Sequence, residues 1–296
     1  RGGGTAGTDG NLKVISQGAV TLTNTGNDVG TLAASVADNA AAFSYTDASA
    51  LKIGTVSADG TAPANLGSLS GIATKGGAVT VVAGTTTGST LTLDQAINTT
   101  PTTLNTAGGA VSLTAGDAIT STATTGTITT TGSVSTAGAA DTAGAGGEVL
   151  IRHTTGVANK AITLNAAIVA SGGASVEAAD TGGGGGVVTI LNDSGTISVH
   201  NITSSGGVSG GGTAGNGGTI QLKTGVAGNT IAQAGSTSLI ALAGTGAGTA
   251  GRSTSWSCTR TRLPSRRPPS APSPRRMRAR PAAPMSTPVT KSRTTP

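Results

Sequence analysis

The sequence predicts an all-β chain: a right-handed parallel β-solenoid followed by a disordered C-terminal tail. Three observations carry this. A Gly-Gly-x-apolar step recurs through the chain, each step opens a short strand with apolar residues at alternate positions, and large side chains are almost absent. Of 296 residues, 49 are Gly, while Phe, Tyr and Trp occur once each. A compact core of this length normally depends on aromatics, which bury the most area per side chain. A narrow lumen filled by Val, Ile, Leu, Ala and Thr does not need them.

The step is GGAV at 76–79, GGAV at 108–111, GGEV at 146–149, GGVV at 185–188 and GGTI at 217–220. Units therefore start near 76, 108, 146, 185 and 217, with spacings of 32, 38, 39 and 32 residues. The strands they open are V-T-V from Val79, V-S-L from Val111, V-L-I from Val149, V-T-I from Val188 and I-Q-L from Ile220. Apolar residues two apart lie on one face of a strand. Further strands are expected at 90–94, 162–165, 197–200 and 239–242, separated by clusters of turn-forming residues. Units of this length suit two coils of about 16–20 residues, or one large coil with a loop, and imply on the order of 12 coils spanning about 60 Å. Leu32–Ala42 is the best helix candidate, set against strands on both sides. Gly is expected at coil corners, where φ is often positive.

The body, 1–251, holds every Gly and also 46 Thr, a good strand former. The segment 252–296 is different in kind. It has no Gly, 9 of the 11 Pro, 11 of the 18 Lys and Arg, and no Asp or Glu. The net charge of +6 is therefore −5 for the body and +11 for the tail. The repeat stops mid-unit at Arg252, and Arg, Pro, Ser and Ala are what GC-rich DNA gives when read out of frame. Back-translation of 252–262 with G/C-ending codons, shifted by two bases, gives V-D-V-L-V-V-H-A-D-A, a strand of the kind the repeat demands. The tail is thus expected to be a frameshift product. Reading the gene decides it, and the idea fails if neither other frame continues the repeat past codon 251. The alternatives are a polyanion-binding basic tail and an SH3-type ligand around Pro269–Pro272.

Candidate chemistry is sparse. The lone Cys258 excludes an intrachain disulfide, and no apolar run approaches a membrane span. His153 ends the strand beginning at Glu148, on the face of Val149 and Ile151, and His200 ends I-S-V-H. Both read as coil-corner histidines, because no H-x-H, H-E-x-x-H or C-x-x-C accompanies them. A carbohydrate-active β-helix needs carboxylates grouped on one face. The twelve acids are scattered, with only Glu177 and Asp180 within four residues of one another. The run Gly182–Gly186 has neither the Asp of a calcium repeat nor the Lys of a phosphate loop, and reads as a flexible corner. T-x-T pairs at Thr21/Thr23/Thr25, Thr90/Thr92 and Thr129/Thr131 suggest an ice-binding array, provided the coils have equal length. No catalytic, cofactor or metal residues are assigned, no enzymatic activity is expected, and no specific nucleic acid is expected as a partner.

A resemblance follows from longer stretches. N-D-V-G-T-L-A-A-S-V from Asn27 and F-S-Y-T-D-A-S-A-L-K-I-G-T-V from Phe43 open it. G-G-A-V-T-V-x-A-G, I-T-T-T-G and A-G-x-G-G-T-I-x-L continue it. Together they resemble segments of filamentous-haemagglutinin-like and autotransporter-type bacterial β-strand-repeat exoproteins, over most of 11–251. The resemblance implies a fragment of a secreted or outer-surface adhesin, serving as a structural stalk or adhesive surface. A host or environmental surface or glycan would be the partner of the full-length protein. Open solenoid ends further predict end-to-end self-association through unpaired strand edges.

Overall fold

Val79, Val111, Val149, Val188 and Ile220 stand directly above one another in a computed structural model, paired in register on parallel strands. Each Gly-Gly step therefore marks one full turn of a parallel β-solenoid. The two-coil alternative is corrected by these registers: every unit is one large, three-faced coil. The structure describes residues 10–58, 66–137, 140–154, 160–225, 229–235 and 237–246, and the strand at 257–260.

Among the described residues, eight coils are stacked. The first holds β1 (Asn11–Ser16) and β2 (Val20–Leu22), and the second β3 (Thr31–Asn39) and β4 (Phe43–Asp47). The third holds β5 (Leu51–Ile53), an inserted antiparallel pair β6 (Thr55–Val56) and β7 (Leu69–Ser70), then β8 (Ile72–Lys75) and β9 (Val79–Ala83). From the fourth coil onward each has one strand per face. These are β10 (Leu91–Leu93), β11 (Ile97–Asn98) and β12 (Val111–Ala115); then β13 (Ile119–Ser121), β14 (Ile128–Thr129) and β15 (Val149–His153). Next come β16 (Ile162–Leu164), β17 (Ile168–Val169) and β18 (Val187–Asn192), and β19 (Ile197–Val199), β20 (Ile202–Thr203) and β21 (Thr219–Thr224). The last coil holds β22 (Ile231–Gln233), β23 (Leu239–Ile240) and β24 (Ser257–Arg260). Seven steps of about 4.8 Å give an axial length of about 34 Å, in place of the longer, 12-coil stack.

Three aliphatic columns line the lumen. The first face stacks Leu51, Leu91, Ile119, Ile162 and Ile197, the second Ile72, Ile97, Ile128, Ile168 and Ile202, and the third the valine column above. All are buried. Each contributes about 1.5–3 kcal/mol by leaving water. The body's two aromatics, Phe43 and Tyr45, occupy the third-face column of the second coil.

The helix candidate at Leu32–Ala42 is corrected to a strand. β3 pairs with β1 on one side and with β5 and β8 on the other, spanning two faces without a corner. The β6–β7 hairpin packs against it. Leu32, Ala33 and Ala34 are consequently all buried, which gives an apolar run in place of alternation.

The glycines act differently from the corner role expected of them. Among the described residues, positive φ occurs at only five of them: Gly71, Gly76, Gly84, Gly88 and Gly235. Most of the rest lie in an extended double layer between the second and third faces. In the sixth coil, one arm runs out along 170–175 and returns along 181–186. Backbone bonds recur every third residue: Gly183 N–H to Gly173 O and Gly186 N–H to Ala170 O join the arms, while Gly182 and Gly185 donate to Thr213 and Asn216 of the next coil. Three residues per turn is the repeat of a polyproline II helix. One position bonds along the axis, one bonds across the layers and one faces outward.

Bonds across the layers link the fourth coil to the eighth. Ser133 donates to Thr106, Gly144 to Ser133, Gly173 to Gly144, Gly183 to Gly173, Gly207 to Gly183, Gly215 to Gly207 and Gly244 to Gly215, each at 2.8–3.0 Å. Every interior member of this zigzag both donates and accepts, an arrangement that strengthens successive bonds. Hydroxyls at the root of the layer add to it: Thr74 donates to Gly77 O, Thr99 to Gly109 O, Thr130 to Gly147 O and Ser204 to Gly186 O.

The chain divides into a unit of Arg1–Leu263 and a unit of Pro264–Pro296. β24 pairs with β21 in register, Cys258 opposite Leu222, so part of the segment expected to be tail continues the third face. The remainder of the predicted tail, 252–256 and 261–296, lies outside the described residues.

Candidate functional site

Polar groups gather at the corner where the third face turns into the first. On the third face the inward positions next to the corner are Asp47, Ala83, Ala115 and His153, in register. Asn192 and Thr224 occupy the same end of the next two strands. Small or polar residues suit this position because the chain leaves the sheet there and its backbone groups need partners.

Asn192 meets that need in full. Its Nδ2 donates to the Lys160 and Thr196 carbonyls, both at 2.9 Å, and its Oδ1 accepts from Ser194 N–H at 3.3 Å and Gly195 N–H at 2.8 Å. Asp117 serves the neighbouring turns, accepting from Gly88 N–H at 2.6 Å and Ala118 N–H at 2.7 Å and pairing with the Lys160 ammonium at 3.0 Å. Burial alone would raise its carboxyl; the Gly88 N–H, Lys160 and the Ala118 N–H outweigh it and hold the group below the usual carboxylate range. In the second coil the Tyr45 hydroxyl donates to Asp47 at 2.7 Å, and burial together with that carboxylate raises the phenol.

His153 differs from these groups. It is 8% exposed, and among the described residues neither ring nitrogen has a hydrogen-bond partner within bonding geometry. Asn192 lies beside it, but both its amide hydrogens are already directed at carbonyls. Burial lowers the imidazole pKa, with smaller opposing contributions from Asn192, Asp117 and Asp193. The adjacent Thr154 Oγ1 is buried and unpartnered as well. Both residues line a cleft of about 310 Å³ shared with Val82, Thr85, Thr114 and Arg152. Arg152 is exposed and its Nε lies 3.4 Å from Thr114 Oγ1. His200 sits at the corner between β19 and β20, with Nδ1 buried and unpartnered.

Stacking also brings together acids that are distant in sequence. Glu177 and Asp180 share a tight turn, Asp180 N–H donating to Glu177 O at 3.2 Å. The buried Asp180 carboxylate accepts from Ser135 Oγ at 2.5 Å and from Asp141 N–H at 3.0 Å, and these bonds lower its pKa. Asp141 in turn accepts from Thr136 and Asn105. Sequence spacing had paired Asp180 with Glu177; the 39-residue coil offset, legible only in the register, pairs it with Asp141. Among the described residues, no group of three or more His, Cys, Asp or Glu side chains is placed to hold a metal ion, and no helix is long and apolar enough to cross a membrane. The three T-x-T pairs fall on three different faces: Thr92 on the first, Thr129 on the second and Thr21 on the third.

Stability should fall with acid in two stages. An unfolded chain protonates His153 near 6.5, above its value in the fold, so stability is lost as pH drops below 6.5 toward the lowered folded value. Asp117 and Asp180 stabilise the fold fully above 3.8, and that contribution is lost as pH falls through their depressed folded values. Urea midpoints are therefore expected to decline below pH 6.5 and again below pH 4. His153→Ala, which places there the residue found at position 115 in the coil before, should remove the first decline. A flat profile from pH 7 to pH 5 in the native chain would refute the assignment. Comparison with protein-family models, with curated proteins and with solved structures gave no match for this chain.

Proposed function

We propose that the chain is a load-bearing structural segment of a large secreted or cell-surface bacterial protein, a stalk that carries or forms an adhesive surface. The observation that supports this most directly is the seven-bond zigzag through Thr106, Ser133, Gly144, Gly173, Gly183, Gly207, Gly215 and Gly244. It runs alongside the parallel strand ladders and ties the fourth to eighth coils through backbone alone. Such bonds do not depend on ion pairs, so salt leaves them intact. Glycines packed against neighbouring carbonyls also leave little room for axial slippage. In this role the partner, a host or environmental surface or glycan, engages the outward residues, while the lumen and the glycine layer transmit load.

Antibodies raised against the body test the location. They are expected to label intact cells of the source organism, or to capture the protein from the medium. Labelling that appears only after permeabilisation would overturn the proposal.

A further inference from the structure

We propose that the outward side of the first face, over the fourth to eighth coils, is an ice-binding surface. The inference does not rest on the load-bearing role, since binding to ice is read in solution whether or not the chain sits on a cell. It starts from the register. Thr92, Thr120, Thr163, Ser198 and Ala232 stand above one another on β10, β13, β16, β19 and β22. Two residues earlier, Thr90, Ala118, Ala161, Thr196 and Thr230 form a second column. The Leu91, Ile119, Ile162 and Ile197 N–H groups donate to the Ala118, Ala161, Thr196 and Thr230 carbonyls at 2.9–3.1 Å, which holds that column in the same register. Thr21 and Thr129 lie on other faces, so stacking, rather than T-x-T spacing along the chain, builds this array. Unequal coil lengths do not disturb it. The variable residues lie in the glycine layer and at the corners, while every first-face strand keeps its place.

The array differs in chemistry from the other faces. Each of its ten positions carries Thr, Ser or Ala. Outward residues of the second face include Val169 and Ile240, and those of the third include Arg152, Leu191, Gln221 and Lys223. Composition alone would spread small residues over all three. Charge enters only at the borders of the array, where it is paired: Lys52 with Asp94 at 3.6 Å and Lys160 with Asp117 at 3.0 Å. A charged group is costly to strip of its hydration, so an uncharged surface is the one that suits an uncharged solid. The hydroxyls are also uncommitted. Among the described residues, no protein group lies within hydrogen-bonding geometry of the Thr92, Thr120, Thr163 or Ser198 hydroxyl. The Thr74, Thr99, Thr130 and Ser204 hydroxyls, at the root of the glycine layer, all donate to backbone carbonyls instead.

Geometry specifies the ligand. The two columns lie about 6.7 Å apart across the face, and successive coils about 4.8 Å apart along it. Oxygen rows on an ice surface repeat at closely similar distances in two directions. Threonine is branched at Cβ and stiff at χ1, so its methyl and hydroxyl hold fixed places. Beneath them Leu91, Ile119, Ile162 and Ile197 are fully buried and anchor the strands. Water lodged between the methyls and bonded to the hydroxyls therefore takes up a regular arrangement that a growing crystal can incorporate.

The experiment places the full 296-residue chain in a nanolitre osmometer, with ice as the ligand. The chain is expected to hold the freezing point below the melting point and to facet the crystals. Thr163→Tyr, at the centre of the array, should lose most of that temperature gap while the urea midpoint stays in place, because tyrosine is a good strand former. Thr163→Val keeps the shape, removes the hydroxyl and should lose less. Thr189→Tyr makes the same exchange on the third face and should keep full activity. The proposal is overturned if the native chain at millimolar concentration neither separates the two temperatures nor facets ice. It is equally overturned if Thr163→Tyr is as active as the native chain, or if Thr189→Tyr loses as much as Thr163→Tyr.

Discussion

Gly183→Ala is expected to destabilise the body by at least about 3 kcal/mol, while Gly184→Ala, one residue along, should cost nothing measurable. A methyl group on Gly183 would lie inside van der Waals contact of the Gly144 carbonyl, which is itself fixed by its own bonds in the zigzag. The clash is with backbone in a hydrogen-bonded layer, so no rotamer change relieves it. At Gly184 the nearest atom to such a methyl is Asn216 O at 3.8 Å, ordinary contact, and the residue does not need positive φ. Ala145 and Asn216 occupy the equivalent outward positions in the coils on either side and carry side chains there already. Gly184→Ala should even gain about 0.4–1 kcal/mol by restricting the unfolded chain. Circular dichroism during urea unfolding reads both variants. Equal losses would refute the three-residue periodicity of the layer.

This contrast marks the boundary of what the residues announce by themselves. Alternation in V-T-V, V-S-L and V-L-I reveals both strand and face, because burial on one side of a strand imposes a period of two. The Gly-Gly steps likewise reveal the coil period. What those glycines do is hidden, since a crowded Gly183 and an open Gly184 are the same letter. Their difference arises from which neighbour each meets after a coil of variable length. Leu32–Ala42 misleads for a related reason: a hairpin inserted some twenty residues later covers the outer side of β3 and removes the alternation. At the site, the face and strand-end position of His153 are legible from the pattern E-V-L-I-R-H. Its neighbours are not, because the side chain beside it, Asn192, comes from a whole coil away. Asp141 and Asp180 are joined only through the register of the coils.

Asn192→Ala is expected to be the most damaging single change at the corner, with a loss of about 3–5 kcal/mol. The side chain is fully buried and makes four hydrogen bonds. One of them spans the coils by holding the Lys160 carbonyl, and the other three shape the turn at 193–196. Alanine removes donors from the Lys160 and Thr196 carbonyls and an acceptor from the Gly195 N–H, at a place where water has little access to replace them. It also leaves a void, since Gly195 packs close to Asn192 Nδ2. Asn192→Asp separates the contributions. It preserves shape and the acceptor for Ser194 and Gly195, but turns a carboxylate oxygen toward the two carbonyls that Nδ2 served. That repulsion favours the protonated acid, which donates to one carbonyl, so the folded pKa of the new carboxyl lies above its unfolded value near 3.9. The folded state then holds the extra proton, and the variant's stability should fall as pH rises from about 4 toward neutrality, opposite to the acid dependence set by His153, Asp117 and Asp180. Urea midpoints of Asn192→Asp at pH 4.5 and pH 7, compared with the native chain, decide the matter: a variant that changes between the two pH values just as the native chain does would mean that the Lys160 and Thr196 carbonyls do not depend on Asn192.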